Sequence, residues 1–139
     1  MGRVVVEVTL ENLEDVWAVR RGSLAADKVR RVMVSDALVD TGATLLSVPT
    51  RYIQALGLQA VSTNRVTTSA GVTEATLYDT VRLTVHGRTC GMDVIEVPDS
   101  VPLLIGQIPL EHLDFTIDMR GHSLIGNPAH GGEHMYELY

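Results

Sequence analysis

The sequence predicts a single, mostly-β domain, and three observations support this. First, 38 of the 139 residues are Val, Thr or Ile, whose branched side chains favour strands over helices. Second, turn residues recur at short intervals, as they do in small barrels and sandwiches. Third, a chain of this length buries about two-thirds of its unfolded surface around one core. We therefore expect one domain over residues 1–139.

Three stretches carry the main strand predictions. Residues 4–10 are rich in Val and should form the opening strand. The continuous apolar run at 37–39 predicts the end of a strand that is buried on both faces. Residues 81–85 alternate apolar and polar, turn at His86-Gly87 and return through 92–95, which predicts a hairpin. The last residues, from Met135 to Tyr139, could form one more strand.

Only two helices are predicted, and both are short. The first has Thr50 as its N-cap, covers 51–56 and stops at Gly57. The second begins with Pro109 in the favoured first position and covers 110–113. Each helix follows two apolar residues and a glycine. This pattern occurs twice, about 65 residues apart, and suggests an internal duplication.

Composition disfavours several classes of partner. A formal net charge of -6 repels nucleic acid, and we interpret the basic residues between Arg20 and Arg31 as solvated surface. No apolar run approaches the ~18 residues that would cross a bilayer. The single Cys90 cannot form an intramolecular disulfide and should serve packing, and no secretory signal is recognised. We expect a cytoplasmic protein without nucleic-acid or membrane partners.

The histidines do not predict a metal site. His130 and His134 have the spacing of a helical metal pair, but Gly131 and Gly132 make a helix there improbable. Cys90 has no neighbouring cysteine with which to bind zinc. We therefore expect neither a metal nor a cofactor.

The tetrad Asp40-Thr41-Gly42-Ala43 is the motif that could carry chemistry. By itself it is a common turn sequence, because Asp and Gly are ordinary turn formers. Apolar residues on both sides, however, place Asp40 inside the structure, where an ionised carboxylate is costly unless it has partners. A buried acid at the end of a strand is therefore a candidate catalytic group.

With these flanks the chain resembles the retroviral-type, or retropepsin-like, aspartic proteases, particularly their bacterial homologues. The resemblance covers most of the chain and agrees in order and spacing. The matching segments are 37–44, 55–58, 101–106, 113–118 and the tail 126–132.

The resemblance implies a closed β-barrel that acts as a homodimer and hydrolyses peptide bonds. Two aspartates would hold one water, yet this chain has a single Asp-Thr-Gly, and the matching 104–106 carries no acid. The dyad would therefore join Asp40 to the Asp40 of a second copy. By the same resemblance, Thr41 would grip the partner beneath the aspartates, Gly42 would let substrate backbone approach, and Ala43 is the residue usual after the glycine.

The resemblance also implies a flap, a hairpin that closes over a peptide substrate. Its tip would fall within 67–73, and we expect Ala70, Gly71 and Val72 to form the tip and contact substrate. Apolar pockets would be lined by residues of both copies. The candidates for these pockets are Leu45, Leu46, Val72 and Ile105.

Two alternatives stay open at this point. The chain could keep the fold and the dimer as a peptide-binding or assembly module without turnover, or it could cleave only itself or a fused partner. Residues 1–30, an N-terminal extension, and 119–139, a C-terminal tail, depart from the minimal viral pattern. Both leave the form of the dimer interface undecided.

Overall fold

Strands dominate the computed structural model, which describes residues 3–138. The prediction of a mostly-β fold is confirmed. The strands of the described residues are β1 (Val5–Asn12), β2 (Arg31–Val39), β3 (Leu46–Pro49), β4 (Ala60–Thr68), β5 (Gly71–Val85), β6 (Arg88–Val97), β7 (Leu104–Ile105), β8 (Phe115–Asp118) and β9 (Ser123–Gly126). The α-helices there are α1 (Leu13–Arg20), α2 (Thr50–Leu56) and α3 (Gln107–His112), with 3-10 turns at Ala26–Lys28 and Pro128–His130.

Seven strands form one sheet in the order β1-β2-β7-β3-β6-β5-β4. The pairs β2/β7 and β3/β6 are parallel, and the other neighbours are antiparallel. Strand β1 pairs with β5 as well as with β2, so the sheet curls around a common core. Strands β8 and β9 form a separate hairpin.

The opening strand shows why the core forms. Val4, Val6, Val8 and Leu10 are buried, whereas Val5 between them is about half exposed. This period of two directs every second side chain inward. Each buried Val or Leu contributes roughly 1.5–3 kcal/mol relative to an exposed position. The predicted strand is confirmed, although it ends two residues later, at Asn12.

The prediction that β2 is buried on both faces is wrong. Ala37 and Val39 point into the core, but Leu38 is only half-buried and Asp36 is exposed. Strand β2 is paired along both edges, with Leu38 opposite Val5 on one side and Leu104 on the other. One face of β2 packs on the core, and the other is only partly covered.

A buried acid ties three strands together. Glu11 on β1 is 4% exposed and accepts hydrogen bonds from Arg31 on β2 and Arg82 on β5. Burial raises the pKa of Glu11, but the two guanidinium groups outweigh burial and leave this pKa below its ordinary value. Arg31 is half-exposed and forms an ion pair with Glu11. Arg30 is also half-exposed and forms an ion pair with Asp15. Part of the predicted basic surface therefore serves ion pairs within the fold.

Helix α1 was not predicted, so the expectation of two helices is wrong. Asn12 is its N-cap, and the side-chain oxygen of Asn12 accepts from the Asp15 N–H at 3.1 Å. The Asn12 amide also donates to the Leu56 carbonyl at 2.9 Å, which fixes the helix start against α2. An Asn followed by Glu14 and Asp15 is the sequence feature that marks this start.

Helices α2 and α3 confirm the two predicted helices but correct their starts. Thr50 is the first residue of α2 rather than its cap, because its hydroxyl donates instead to Glu96 at 2.8 Å. Gly57 ends α2 in the left-handed conformation, with φ of 65°, as predicted. Helix α3 begins at Gln107, two residues before Pro109, and Gly106 occupies the cap position.

The β5–β6 hairpin is confirmed, with Val85 opposite Arg88 across the turn at His86 and Gly87. The possible final strand is not formed, since 135–138 have no regular structure, and Tyr139 lies outside the described residues. None of the helices within residues 3–138 is long and apolar enough to cross a membrane.

Candidate active site

Asp40 lies directly after β2, where the strand leaves the core. Its N–H donates to the Ile105 carbonyl at 3.0 Å, which continues the parallel pairing of β2 with β7. The preceding Val39 is buried and donates its own N–H to the Val4 carbonyl at 2.9 Å. The backbone of Asp40 is therefore fixed by buried strands on both sides, while its side chain is half-buried.

The residues after Asp40 form a tight turn. Carboxylate oxygen Oδ1 of Asp40 accepts the Gly42 N–H at 2.9 Å, and the Asp40 carbonyl accepts the Ala43 N–H at 3.1 Å. Thr41 and Gly42 are exposed and Ala43 is half-buried. The structure thus brings the four predicted residues together in one turn, with the carboxylate oriented by the backbone that follows it.

The start of α3 holds this turn from behind. The N–H groups of Gly106, Gln107 and Ile108 donate to the carbonyls of Leu45, Ala43 and Thr44, at 3.0, 2.8 and 3.0 Å respectively. We call residues 40–45 the Asp40 turn and 106–108 the cradle. Three successive donors of the cradle meet three successive carbonyls of the turn, so backbone atoms alone make this attachment.

Gly106 makes the close approach of turn and cradle possible. A Cβ atom at this position would lie 2.4 Å from the Leu45 carbonyl oxygen and 2.7 Å from the Ala43 carbonyl oxygen. No side chain fits in that space, because both neighbours are backbone atoms. The sequence pattern marks Gly106 only as part of a segment without an acid, so its structural role was not predicted.

Two of the predicted pocket residues belong to the core instead. Leu46 and Ile105 are fully buried, so their side chains do not line a surface in the described chain. Leu45 is half-buried and Val72 is exposed. The β-strand pattern explains the difference, because Leu46 begins β3 and points inward from there.

The hairpin of β4 and β5 occupies the predicted flap region. Thr68 pairs with Gly71 across a two-residue turn, Ser69-Ala70. The Thr68 hydroxyl accepts from the Ala70 N–H at 3.2 Å and donates to the Gly71 carbonyl at 3.0 Å. Of the three predicted tip residues, Ala70 lies in the turn, while Gly71 and Val72 are the first residues of β5.

Two clefts among residues 3–138 lie away from Asp40. One, of about 360 Å³, lies between α3, β8 and the C-terminal tail, and another, of about 190 Å³, lies at the base of the β4–β5 hairpin. Asp40 lines neither. Asp40 is half-buried and its neighbours Thr41 and Gly42 are exposed, so the candidate site lies at the surface of the chain.

The other reactive groups of the described chain give no rival site. Burial raises the pKa of the Cys90 thiol to about 11, so this side chain stays protonated at neutral pH and packs in the core. Among residues 3–138 there is no group of three or more His, Cys, Asp or Glu side chains that could hold a metal ion.

The family model described as "Aspartyl protease" matches residues 27–109, which is more than half of the chain. The chain belongs to this aspartyl protease family. The match begins just before β2 and ends within α3, and so includes the Asp40 turn, the cradle and the β4–β5 hairpin. A comparison with curated proteins finds no match. Membership of an aspartyl protease family suggests a peptidase, with Asp40 as the acid of its Asp-Thr-Gly motif.

Proposed function

We propose that the protein is an aspartic endopeptidase that acts as a homodimer, with Asp40 of each copy forming the catalytic dyad. The observation that carries this proposal is the position of Asp40. Asp40, the acid of the Asp-Thr-Gly motif, follows a strand end and is oriented by a turn that a backbone cradle holds, with the exposed Thr41 and Gly42 beside it. Such a site has half of the groups that the reaction needs.

The reaction uses the two carboxylates in different protonation states. Two carboxyl groups in contact share one proton, because two negative charges so close together repel each other and both groups cannot be ionised at once. The ionised Asp40 takes a proton from the water as the water oxygen bonds to the peptide carbonyl carbon. The protonated Asp40 of the second copy gives its proton to the carbonyl oxygen. When the tetrahedral diol intermediate collapses, the first Asp40 passes the proton that it took from water to the amide nitrogen, and the C–N bond breaks. The ionised Asp40 of the second copy takes a proton from a hydroxyl of the intermediate, which leaves as the carboxyl product and restores the shared proton of the dyad.

Several features support the dimer. The sequence contains one Asp-Thr-Gly, and the segment that lies beside it in the sheet, Leu104-Ile105-Gly106, brings no second acid. Thr41 and Gly42 are exposed next to Asp40, where a second copy could contact them. The double pairing of β1 supports the closed barrel that this family is expected to form.

The β4–β5 hairpin is proposed to be the flap. Its outer half is exposed on both faces, and Ala70, Gly71 and Val72 offer backbone groups that could pair with an extended peptide. We also propose that the protein is cytoplasmic. The single cysteine, which cannot form an intramolecular disulfide, supports this location.

The test is cleavage of an unbiased peptide library between pH 4 and 7 by the wild type, Asp40→Asn and Asp36→Asn. Asp36 is an exposed aspartate on β2, four residues before the motif, and serves as the matched control. We expect Asp40→Asn to lose about 10²–10⁴-fold of the rate and Asp36→Asn to keep it. Sedimentation of all three proteins should show dimers.

Three results would overturn parts of the proposal. Equal turnover by Asp40→Asn would remove Asp40 from catalysis. Active protein that sediments only as a monomer would remove the shared dyad. Peptide binding without cleavage by the wild type would instead support the alternative, a silent peptide-binding or assembly module.

A further inference from the structure

The C-terminal tail folds back onto the body of its own chain. We call residues 127–137 the strap. The Tyr136 hydroxyl donates to the His112 carbonyl at the end of α3, at 2.8 Å, and Arg88 on β6 donates to the Gly132 carbonyl at 2.6 Å. A Cβ on Gly126 would lie 2.3 Å from the Gly132 carbonyl oxygen, so the strap approaches β9 backbone to backbone. These contacts seat the strap on three different elements.

Asp114 is the acceptor on which the strap converges. It is 7% exposed and has a positive φ of 60°, which turns the chain between α3 and β8. Its carboxylate accepts from Asn127 Nδ2 at 3.1 Å, from the Met135 N–H at 3.1 Å and from His130 Nδ1 at 2.6 Å. All three of these donors belong to the strap.

His130 lies between two carboxylates. Nδ1 faces Asp114 Oδ2, and Nε2 faces Glu137 Oε1 at 3.1 Å. The His130 side chain is 12% exposed, whereas that of Glu137 is 71% exposed. Because an ionised carboxylate only accepts hydrogen bonds, both ring nitrogens must donate, and only the imidazolium can do so. Neutral His130 keeps one N–H for Asp114 but presents a lone pair to Glu137.

The two carboxylates act on the charge of His130 in the same direction. The hydrogen bond from His130 lowers the pKa of Asp114 to about 2, and hydrogen bonds to Asp114 and then Glu137 raise the pKa of His130. Glu111 of α3 and Tyr136 line the cleft that Asp114 and His130 also line. Arg88 donates to the carbonyls of Leu113 and Asp114, and His134 lies against Tyr136. The opposed carboxylates thus favour a positive His130.

We propose that the strap is a proton-operated clasp: protonated His130 closes it by bridging Asp114 and Glu137, and loss of the proton releases its last residues. A histidine that gains partners on folding stabilises the closed form fully below its ordinary titration range, and this stabilisation disappears as pH rises through the folded-state midpoint. The clasp is therefore closed below the raised titration midpoint of His130 and open above it.

The clasp is one helix away from the Asp40 turn. The strap holds the end of α3 at His112, and the beginning of α3 supplies the cradle for residues 43–45. The clasp itself requires no peptidase activity, so its test uses the whole chain without substrate. A failed clasp and a failed peptidase proposal would consequently be separate results.

The experiment follows two NMR signals from pH 5.5 to 9, the ring titration of His130 and the exchange of the Met135 amide, which donates to Asp114. The wild type is compared with Glu137→Gln and with Glu133→Gln, an exposed acid of the same strap that serves as control. In the wild type, we expect His130 to titrate above 6.5. As pH rises through the His130 midpoint, exchange of the Met135 amide, corrected for its intrinsic pH dependence, should accelerate. The total acceleration should be about tenfold for each pH unit by which the His130 midpoint lies above 6.5.

The variants decide whether the bridge is responsible. Glu137→Gln should lower the His130 midpoint and move the step in Met135 exchange with it, while Glu133→Gln should match the wild type. Glu137 is exposed, so its variant should keep the fold. Met135 protection that stays constant while His130 titrates would overturn the clasp. So would a wild-type His130 midpoint at or below 6.5, or equal effects of the two substitutions.

Discussion

The Asp40 turn and the tip of the β4–β5 hairpin are both short, exposed turns, yet they are supported very differently. The Asp40 turn is held by paired strands and by three N–H groups of the cradle. The hairpin tip has only its cross-strand pairs and the Thr68 hydroxyl. Local stability depends on what a segment packs against. The Asp40 turn is therefore expected to hold its position more firmly than the hairpin tip, as the proposed roles of the two segments require.

The largest effect that would test this comparison is expected from Gly106→Ala. A Cβ would meet the Leu45 carbonyl oxygen at 2.4 Å, so turn and cradle must separate. We expect a loss of about 3 kcal/mol in the free energy of unfolding, or about 10 °C in Tm. Gly91→Ala is the control, because its Cβ meets only ordinary contacts of 3.5 and 3.7 Å. Equal Tm values for the two variants would show that the cradle does not contact residues 43–45 closely at Gly106.

A smaller and local effect is expected from Gly71→Ala. Gly71 has φ of 116°, but an added methyl group would find nothing within 4 Å, so backbone strain is the main cost. We expect about 1 kcal/mol, seen as faster amide exchange in the hairpin. Gly22→Ala carries a similar strain at φ of 79° outside the hairpin and should leave hairpin exchange unchanged. Identical hairpin exchange in both variants would contradict the importance of Gly71.

The smallest effect is expected from Thr68→Val, which keeps the shape of the side chain and removes its two hydrogen bonds. Because the site is exposed, the loss should be about 0.5 kcal/mol and confined to the tip. Exchange of the Ala70 amide is the measurement, and Thr67→Val, one residue earlier, is the control. Slower or unchanged Ala70 exchange in Thr68→Val would mean that the hydroxyl does not hold the turn.

Local patterns in the sequence predicted much of the fold. The alternation at 81–85 and the turn at His86-Gly87 predict the central hairpin, and Gly57 predicts the end of α2, since each depends on neighbouring residues alone. The motif at Asp40 predicts a turn after a strand for the same reason. Helix α1 was missed although Asn12 marks its start, because the helix is only two turns long and follows a strong strand pattern directly.

Features that depend on distant residues could not be predicted from the sequence. The cradle joins residues 43–45 to 106–108 through backbone atoms, so no side chain announces it. His130 and His134 have the spacing of a metal pair, but the structure separates their roles. His130 binds Asp114, 16 residues upstream, and His134 contacts Tyr136. Strands β2 and β7, which precede the two copies of the apolar-glycine-helix pattern, pair side by side in parallel. The internal duplication stays a prediction.

The backbone hydrogen bonds of the Asp40 turn have an evolutionary consequence. Carbonyl and N–H groups are the same for every residue type, so these three hydrogen bonds do not depend on which side chains stand at 43–45. Thr44 is exposed, and we expect its replacement to leave the position of Asp40 unchanged. Descendants of this chain can therefore vary the exposed surface beside Asp40 while they inherit the same backbone support for its carboxylate.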